Sequence, residues 1–254
     1  MTGQLSLFFS VDHKLIPNSS FIILIAVLLF LCSPAEAEII FYDSVCLKDE
    51  NIMLKAVTKG KVFSKGGQMV EFSVDGKSIG RSLSGGDGAA FKEFRAEKTG
   101  LHKVSVVSGK DKDSGFMLSL KKGAEIVFID VEGSMFAPMS GNPKKDSRKV
   151  IKAIAKRFPV VYLQAGIFDI RTLKKLLKEN EFTDAPLLQW RDGNVFEEAD
   201  KKGLKIKFVI GGKTVIESAK EFKPKAFSFG EVEGAEEVRD WEEIGKQLRL
   251  QPKR

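Results

Sequence analysis

Histidine and cysteine are nearly absent from the 254 residues: His13, His102, Cys32 and Cys46 are the full set. A four-thiolate or His-rich zinc centre cannot be built from them, so any metal here is held by oxygen, which leaves Mg²⁺ or no metal. Tyrosine and tryptophan are also scarce, two of each against 20 Phe. Phe lacks the polar handle that enriches the other two at recognition surfaces, so the aromatic content reads as core packing. No basic stripe with interleaved aromatics occurs and the net charge is a modest +7, which argues against a nucleic-acid partner while suiting small anionic ligands. With 43% hydrophobic and 30% charged residues and no internal repeat, the chain reads as an ordinary globular protein.

The one long apolar run, Phe21 to Cys32, has twelve residues, short of the roughly 20 that a membrane-spanning helix needs. Ala35-Glu36-Ala37 follows as a small-residue cleavage site, so residues 1–37 read as a secretory signal peptide and the protein as exported, periplasmic or secreted, rather than anchored by this segment. Bulky Phe30 and Leu31 argue against lipidation at Cys32. Cleavage after Ala37 would leave Cys46 as the single thiol, so stability must come from a core rather than a disulfide. Cys46 itself reads as a small buried hydrophobe.

Two grammars divide the remainder. From 38 to 122 the pattern is strand and turn: Met69 to Val74 alternates, Asp75-Gly76 gives a hairpin, Lys77 to Leu83 resumes, Gly85-Gly86-Asp87-Gly88 turns again, and Leu101 to Val107 alternates after Thr99-Gly100. This predicts an all-β sandwich, and Thr99 to Gly109 resembles a late strand of bacterial immunoglobulin-like domains; His102 lies on the polar side of it. From 123 to 254 continuous apolar runs alternate with amphipathic segments: Ala124 to Asp130, a helix with Val150, Ile151, Ile154, Ala155 and Phe158 on one face, and Pro159 to Leu163. There follow a helix with Ile170, Leu173, Leu176 and Leu177, then Pro186 to Trp190, a helix around Thr214 to Phe222, Ala226 to Gly230, and a last helix with Val238, Trp241, Ile244 and Leu248 aligned. Such alternation predicts a three-layer α/β domain with a parallel sheet and right-handed crossovers.

In such sheets function sits in the loops at the carboxyl ends of the strands. Those ends carry Asp130 and Glu132, Gln164, Lys213, and then Glu231, Glu233, Glu236 and Glu237. Two carboxylates in one loop, further acids at another strand end and a lysine are what Mg²⁺-assisted phosphoryl transfer requires. Most acids between Glu231 and Glu243 must nonetheless be a solvated helix face.

The segment Asp130-Val131-Glu132-Gly133-Ser134 after a hydrophobic strand resembles the first motif, Asp-x-Asp-Gly-Thr, of the haloacid dehalogenase (HAD) superfamily. Tyr162-Leu163-Gln164-Ala165-Gly166, followed by Pro186-Leu187-Leu188 and Asp192-Gly193, resembles the lipin and phosphatidylinositol-transfer-protein C-terminal (LNS2) group within it. The resemblance implies a Rossmann-like α/β fold with Asp130 as phosphoryl-accepting nucleophile and Glu132 at the acid/base position. It further implies Gln164 in place of a hydroxyl that binds the phosphoryl group, Lys213 (or Lys207) as the charge-balancing lysine, and Mg²⁺ held by Asp130, Glu231 and Glu236 or Glu237. The glutamates and Gln164 depart from that pattern in a site where octahedral Mg²⁺ tolerates little misplacement. Two functions follow: an exported Mg²⁺-dependent phosphohydrolase acting on a phosphate monoester such as phosphatidic acid or a related lipid phosphate, or a catalytically weakened module that binds a ligand or partner at the cell envelope or membrane surface.

Overall fold

Alternation along the first strand sends its side chains into two different cores. In the computed structural model, which describes residues 38–60, 64–137 and 141–249, β1 (Glu38–Tyr42) turns Ile39 and Phe41 to one side and Ile40 and Tyr42 to the other, as the period of two requires. The expected signal peptide and Cys32 lie outside the described residues. There follow β2 (Ser44–Leu47), β3 (Asn51–Lys59), β4 (Met69–Val74), β5 (Lys77–Leu83), β6 (Ala89–Arg95), β7 (Gly100–Ser108) and β8 (Asp111–Leu120). They form two sheets, ordered β1-β3-β6 and β2-β8-β7-β4-β5, antiparallel throughout except for the parallel pair β2–β8.

This is an immunoglobulin-like sandwich. Its core holds Ile39, Phe41, Leu54, Phe72, Val104 and Met117, and each fully buried side chain of this size contributes about 1.5–3 kcal/mol. The hairpin at Asp75-Gly76 has both residues at positive φ, 49° and 78°, the twist that suits a two-residue connection. Cys46 is fully buried in this core, and burial pushes its thiol pKa up, so it is an inert filler. His102 is held by Asp75 at 2.7 Å and by the Lys98 carbonyl at 2.9 Å, a structural tie between turns.

β8 ends at Leu120, and after Gly123 the chain enters the second grammar: β9 (Glu125–Asp130), α1 (Ser147–Ala155), β10 (Val160–Gln164), α2 (Ile170–Glu179), β11 (Leu187–Gln189), α3 (Asn194–Lys201), β12 (Lys205–Ile210), α4 (Lys213–Ala219), β13 (Lys225–Ser228), β14 (Glu236–Glu237) and α5 (Trp241–Gln247). The sheet is parallel throughout, ordered β11-β10-β9-β12-β13-β14. Val127, Ile129 and Ile210 point to α1, α2 and α5, whereas Ile126, Phe128 and Val209 point to α3 and α4, which gives three layers. Asp169 and Asp240 cap α2 and α5 by accepting backbone N–H groups of the first turn. The sequence pattern shows neither α3 nor the strand character of β12, because α3 has only Val195, Phe196 and Ala199 on its buried face and β12 opens on Lys205 and Lys207.

The sandwich and the α/β layers share one compact unit, residues 37–254. Leu118 and Leu120 leave the sandwich for the cluster around Phe128, and Ile40 joins the cluster around Ile129. Asp43, between β1 and β2, is buried at this junction. Its Oδ1 lies 2.9 Å from Lys174 Nζ of α2, and its Oδ2 accepts the Leu187 N–H at 2.9 Å. Lys174 also donates to the Phe41 carbonyl at 2.8 Å, and Arg171 pairs with Glu38 beside it. Gly115 on β8 makes room: a Cβ there would overlap Asp43 Oδ1 and crowd Lys174 and Phe41.

Burial pushes the Asp43 carboxyl pKa up, while Lys174 and the Leu187 N–H pull it back. Charging this group therefore costs more in the folded chain than in the unfolded one, a cost present above its raised pKa and relieved as pH falls below the ordinary carboxylate value. Lys174→Met, which strips the buried carboxylate of its cation, is expected to lose about 3–5 kcal/mol at pH 7 and less at pH 4, as read by urea unfolding at the two pH values. Gly115→Ala is expected to lose stability as well, through overlap rather than charge, with little dependence on pH.

Candidate functional site

In this sheet the strand order reverses at β9: the chain moves outward through β10 and β11, then returns to β12 on the other flank. Such a switch point opens a crevice at the carboxyl ends of the strands. β9 ends there on Asp130, and β12 ends on Ile210, followed by Gly211 and Gly212.

Asp130 is 4% exposed. Its Oδ1 accepts the Gly133 N–H at 3.0 Å and its Oδ2 accepts the Gly212 N–H at 3.1 Å. Both contacts depend on glycine, since a Cβ on Gly133 would overlap the carboxylate and one on Gly211 would lie 2.8 Å from Asp130 Cβ. Burial raises the Asp130 pKa and the charge of Glu132 adds to the rise, against the two N–H bonds. Residues Val131–Met135 form one wide π-helical turn, closed by Ser134 Oγ donating to the Asp130 carbonyl at 2.5 Å and by Trp241 Nε1 donating to the Ser134 carbonyl at 2.9 Å. Turns of this kind are uncommon and recur at functional sites.

Glu132 reaches from that turn across the crevice. Its carboxylate accepts three consecutive backbone N–H groups of the loop after β10: Gly166 at 2.9 Å, Ile167 at 2.8 Å and Phe168 at 3.0 Å. Gly166 is required, because a Cβ there would overlap the Glu132 carboxylate. Gln164 braces the same loop, its Nε2 donating to the Phe168 carbonyl at 2.8 Å. Lys144 is the residue that sequence reasoning missed. Its N–H bonds the Met135 carbonyl, its ammonium lies 3.9 Å from the Phe229 ring centre, and burial pushes its pKa down against the pull of Asp130. Its only signal is its place in the Asn142-Pro143-Lys144-Lys145 turn.

The other predicted site residues are not drawn into this group. Lys213 follows Gly212, and its exposed side chain extends along α4 to Glu217 at 3.9 Å. Lys207 lies at the opposite end of the sheet, 2.8 Å from Glu125. Glu236 pairs with Lys225 at 3.0 Å, Glu237 is exposed beside it on β14, and Glu231 lies in the turn between β13 and β14. Among the described residues no three His, Cys, Asp or Glu side chains are arranged to hold a metal ion. Asp130 and Glu132 also direct four carboxylate oxygens at five N–H groups, so the residues present do not fit an octahedral Mg²⁺.

A second concavity, about 390 Å³, lies where the sandwich meets β11 and α3. Tyr42, Met53, Gln189, Arg191 and Glu198 contribute to its wall over an apolar floor of Ile126, Phe128 and Val195. Ser44 Oγ is buried in this wall with no hydrogen-bond partner among the described residues. The volume is within the range of small-molecule sites, which favour junctions of this kind.

No protein-family model and no curated protein matches the chain. Similar solved structures include the fibronectin(III)-like modules of CbhA from Clostridium thermocellum, with 21% identity over 33% of this chain and 97% of that one and a TM-score of 0.25. Domain I10 of titin is similar with 10% identity over 33% and 97% of the two chains and a TM-score of 0.26. An endo-beta-1,4-mannanase from Thermotoga petrophila is similar with 16% identity over 41% of this chain, which spans only 25% of that one, and a TM-score of 0.29. The resemblance to the HAD superfamily and its LNS2 group is not upheld: the similar structures are immunoglobulin- and fibronectin-like β domains and glycosidase-related folds, with no HAD or lipin-like protein found. The motif match rested on residue types at strand ends; the geometry spends Asp130, Glu132 and Gln164 on the chain's own backbone and leaves Lys213 and Glu236 in side-chain pairs elsewhere.

Two outcomes test this geometry. Because the folded pKa of Asp130 lies above its unfolded value, wild-type stability is expected to fall, relative to Asp130→Asn, as pH rises through the ordinary carboxylate range, and the difference is expected to level off above the raised pKa; urea unfolding between pH 3.5 and 7 reads it. Glu132→Ala is expected to lose about 1–2 kcal/mol, less than three buried charged bonds would give, because water reaches the released N–H groups.

Proposed function

We propose that this chain is a binding module of the cell envelope rather than a phosphohydrolase. The observation that carries this reading is the placement of Glu132: its carboxylate accepts the three N–H groups of the 166–168 loop, the groups that would otherwise receive an anionic substrate. Asp130, buried behind it, has both oxygens engaged. The junction concavity, walled by Tyr42, Gln189, Arg191 and Glu198, supports a site for a ligand. The apolar run from Phe21 and the Ala35-Glu36-Ala37 cleavage pattern support export, which is compatible with a role at the envelope.

The test is phosphate release by the purified protein over a panel from p-nitrophenyl phosphate to phosphatidic acid, with Mg²⁺ and with EDTA, beside Asp130→Asn. No release above background is expected in any arm. Mg²⁺-dependent release by the wild type that is lost in Asp130→Asn would overturn the reading.

A further inference from the structure

At the end of the parallel sheet remote from Asp130 the strands begin rather than end, and the side chains gathered there carry mostly one sign of charge. An open groove of about 650 Å³ is lined by Arg157, Lys207, Lys225 and Arg249, with Glu125 as its one acid. The four cations come from four places in the chain: the turn after α1, β12, β13 and the residues after α5. Folding has therefore collected them from segments far apart in the sequence. Glu125 takes Lys207 at 2.8 Å and Glu236 takes Lys225 at 3.0 Å. Arg157 donates one N–H to the Leu248 carbonyl at 3.1 Å and rests 5.5 Å from the Phe158 ring centre. The guanidinium of Arg157 keeps further donors free, and Lys205 and Lys223 extend the charge on the exposed starts of β12 and β13. Phe158, half-buried, supplies apolar surface between the cations, while Leu248 belongs to the core.

We propose that this groove is a docking surface for the phosphate headgroups of an anionic lipid bilayer; the proposal rests on the envelope-binding reading above and names its partner. Three features favour a bilayer over a single soluble phosphate. The groove is open, so it encloses no one anion. Its cations come from four separate segments rather than from one loop built around a single anion, as an array of headgroups allows. The half-buried Phe158 ring lies among them, and basic surfaces with an apolar contact hold membranes.

The experiment is co-sedimentation of the purified protein with vesicles of phosphatidylcholine alone and with vesicles containing phosphatidylglycerol. Binding is expected only to the anionic vesicles and is expected to weaken when NaCl is raised to 0.5 M. Each cation near an anionic surface is worth about a fivefold change in affinity, so Lys207→Gln with Arg249→Gln should weaken binding roughly 25-fold. The same charge change on the sandwich, Lys77→Gln with Lys98→Gln, should leave it within about twofold. Arg249→Glu alone, at an exposed position, is a second variant that keeps the test valid if the first is poorly folded, and it should weaken binding at least fivefold. Equal loss from the groove and sandwich variants would overturn the proposal by showing a diffuse charge effect. Binding of soluble pyrophosphate at the groove without vesicle binding, preference for an RNA over the vesicles, or no binding to anionic vesicles would each overturn it too. Release of phosphate from lipid phosphates would instead overturn the non-catalytic reading, and it is measured separately, so the two failures are distinguishable.

Discussion

A carboxylate that is nearly inaccessible to water, Asp43, faces one ammonium, Lys174, where the sandwich meets the α/β layers. Neither charge could be buried without the other, and the pair is satisfied only when three separate pieces of chain have arrived: β1 with its Phe41 carbonyl, α2 with Lys174, and β11 with its Leu187 N–H. A buried pair of this sort adds little net stability compared with apolar packing, but it penalises every arrangement in which the two parts are displaced. Its contribution is the placement of the two parts relative to each other, and the junction concavity, whose wall includes Asp43 and Leu187, inherits its shape from that placement.

The same economy of polar groups governs the crevice at the switch point. The loops and helix N-termini that follow the strands of a parallel sheet expose backbone N–H groups at its carboxyl end, and anions satisfy them. Here the anions are internal. Asp130 serves the turn that follows it and the Gly212 turn beside it, while Glu132 serves the loop after β10. Lys144, at the Phe229 ring, offsets the remaining negative charge. The result is a crevice with the residue types of a reaction centre and the bonding of a structural clasp.

Periodicity made the architecture legible: the alternating segments became the sandwich, and the continuous apolar runs became the parallel sheet. What failed was local camouflage. Lys205 and Lys207 hid the apolar half of β12, and three apolar positions were too few to mark α3. At the crevice, Asp130 ends β9, Glu132 follows it, and Gln164 ends the neighbouring β10. The direction of the Glu132 side chain was not legible, because the N–H groups that capture it lie 34 to 36 residues further along the chain. Asp43 gave no signal at all: between two short strands it reads as a turn residue, and its cation belongs to a helix of the other fold class. Charges gathered by folding, as in the groove at the strand starts, are invisible to any reading that counts along the chain.

The division of β1 and β8 between neighbouring cores has a consequence for how the protein comes apart. Ile39 and Phe41 belong to one apolar cluster and Ile40 to another, and β8 divides Met117 from Leu118 and Leu120 in the same way. A strand that melts withdraws packing from both clusters at once, so the loss of either half destabilises the other. The two halves are therefore coupled, and local opening of β1 or β8 loosens both clusters that the strand serves.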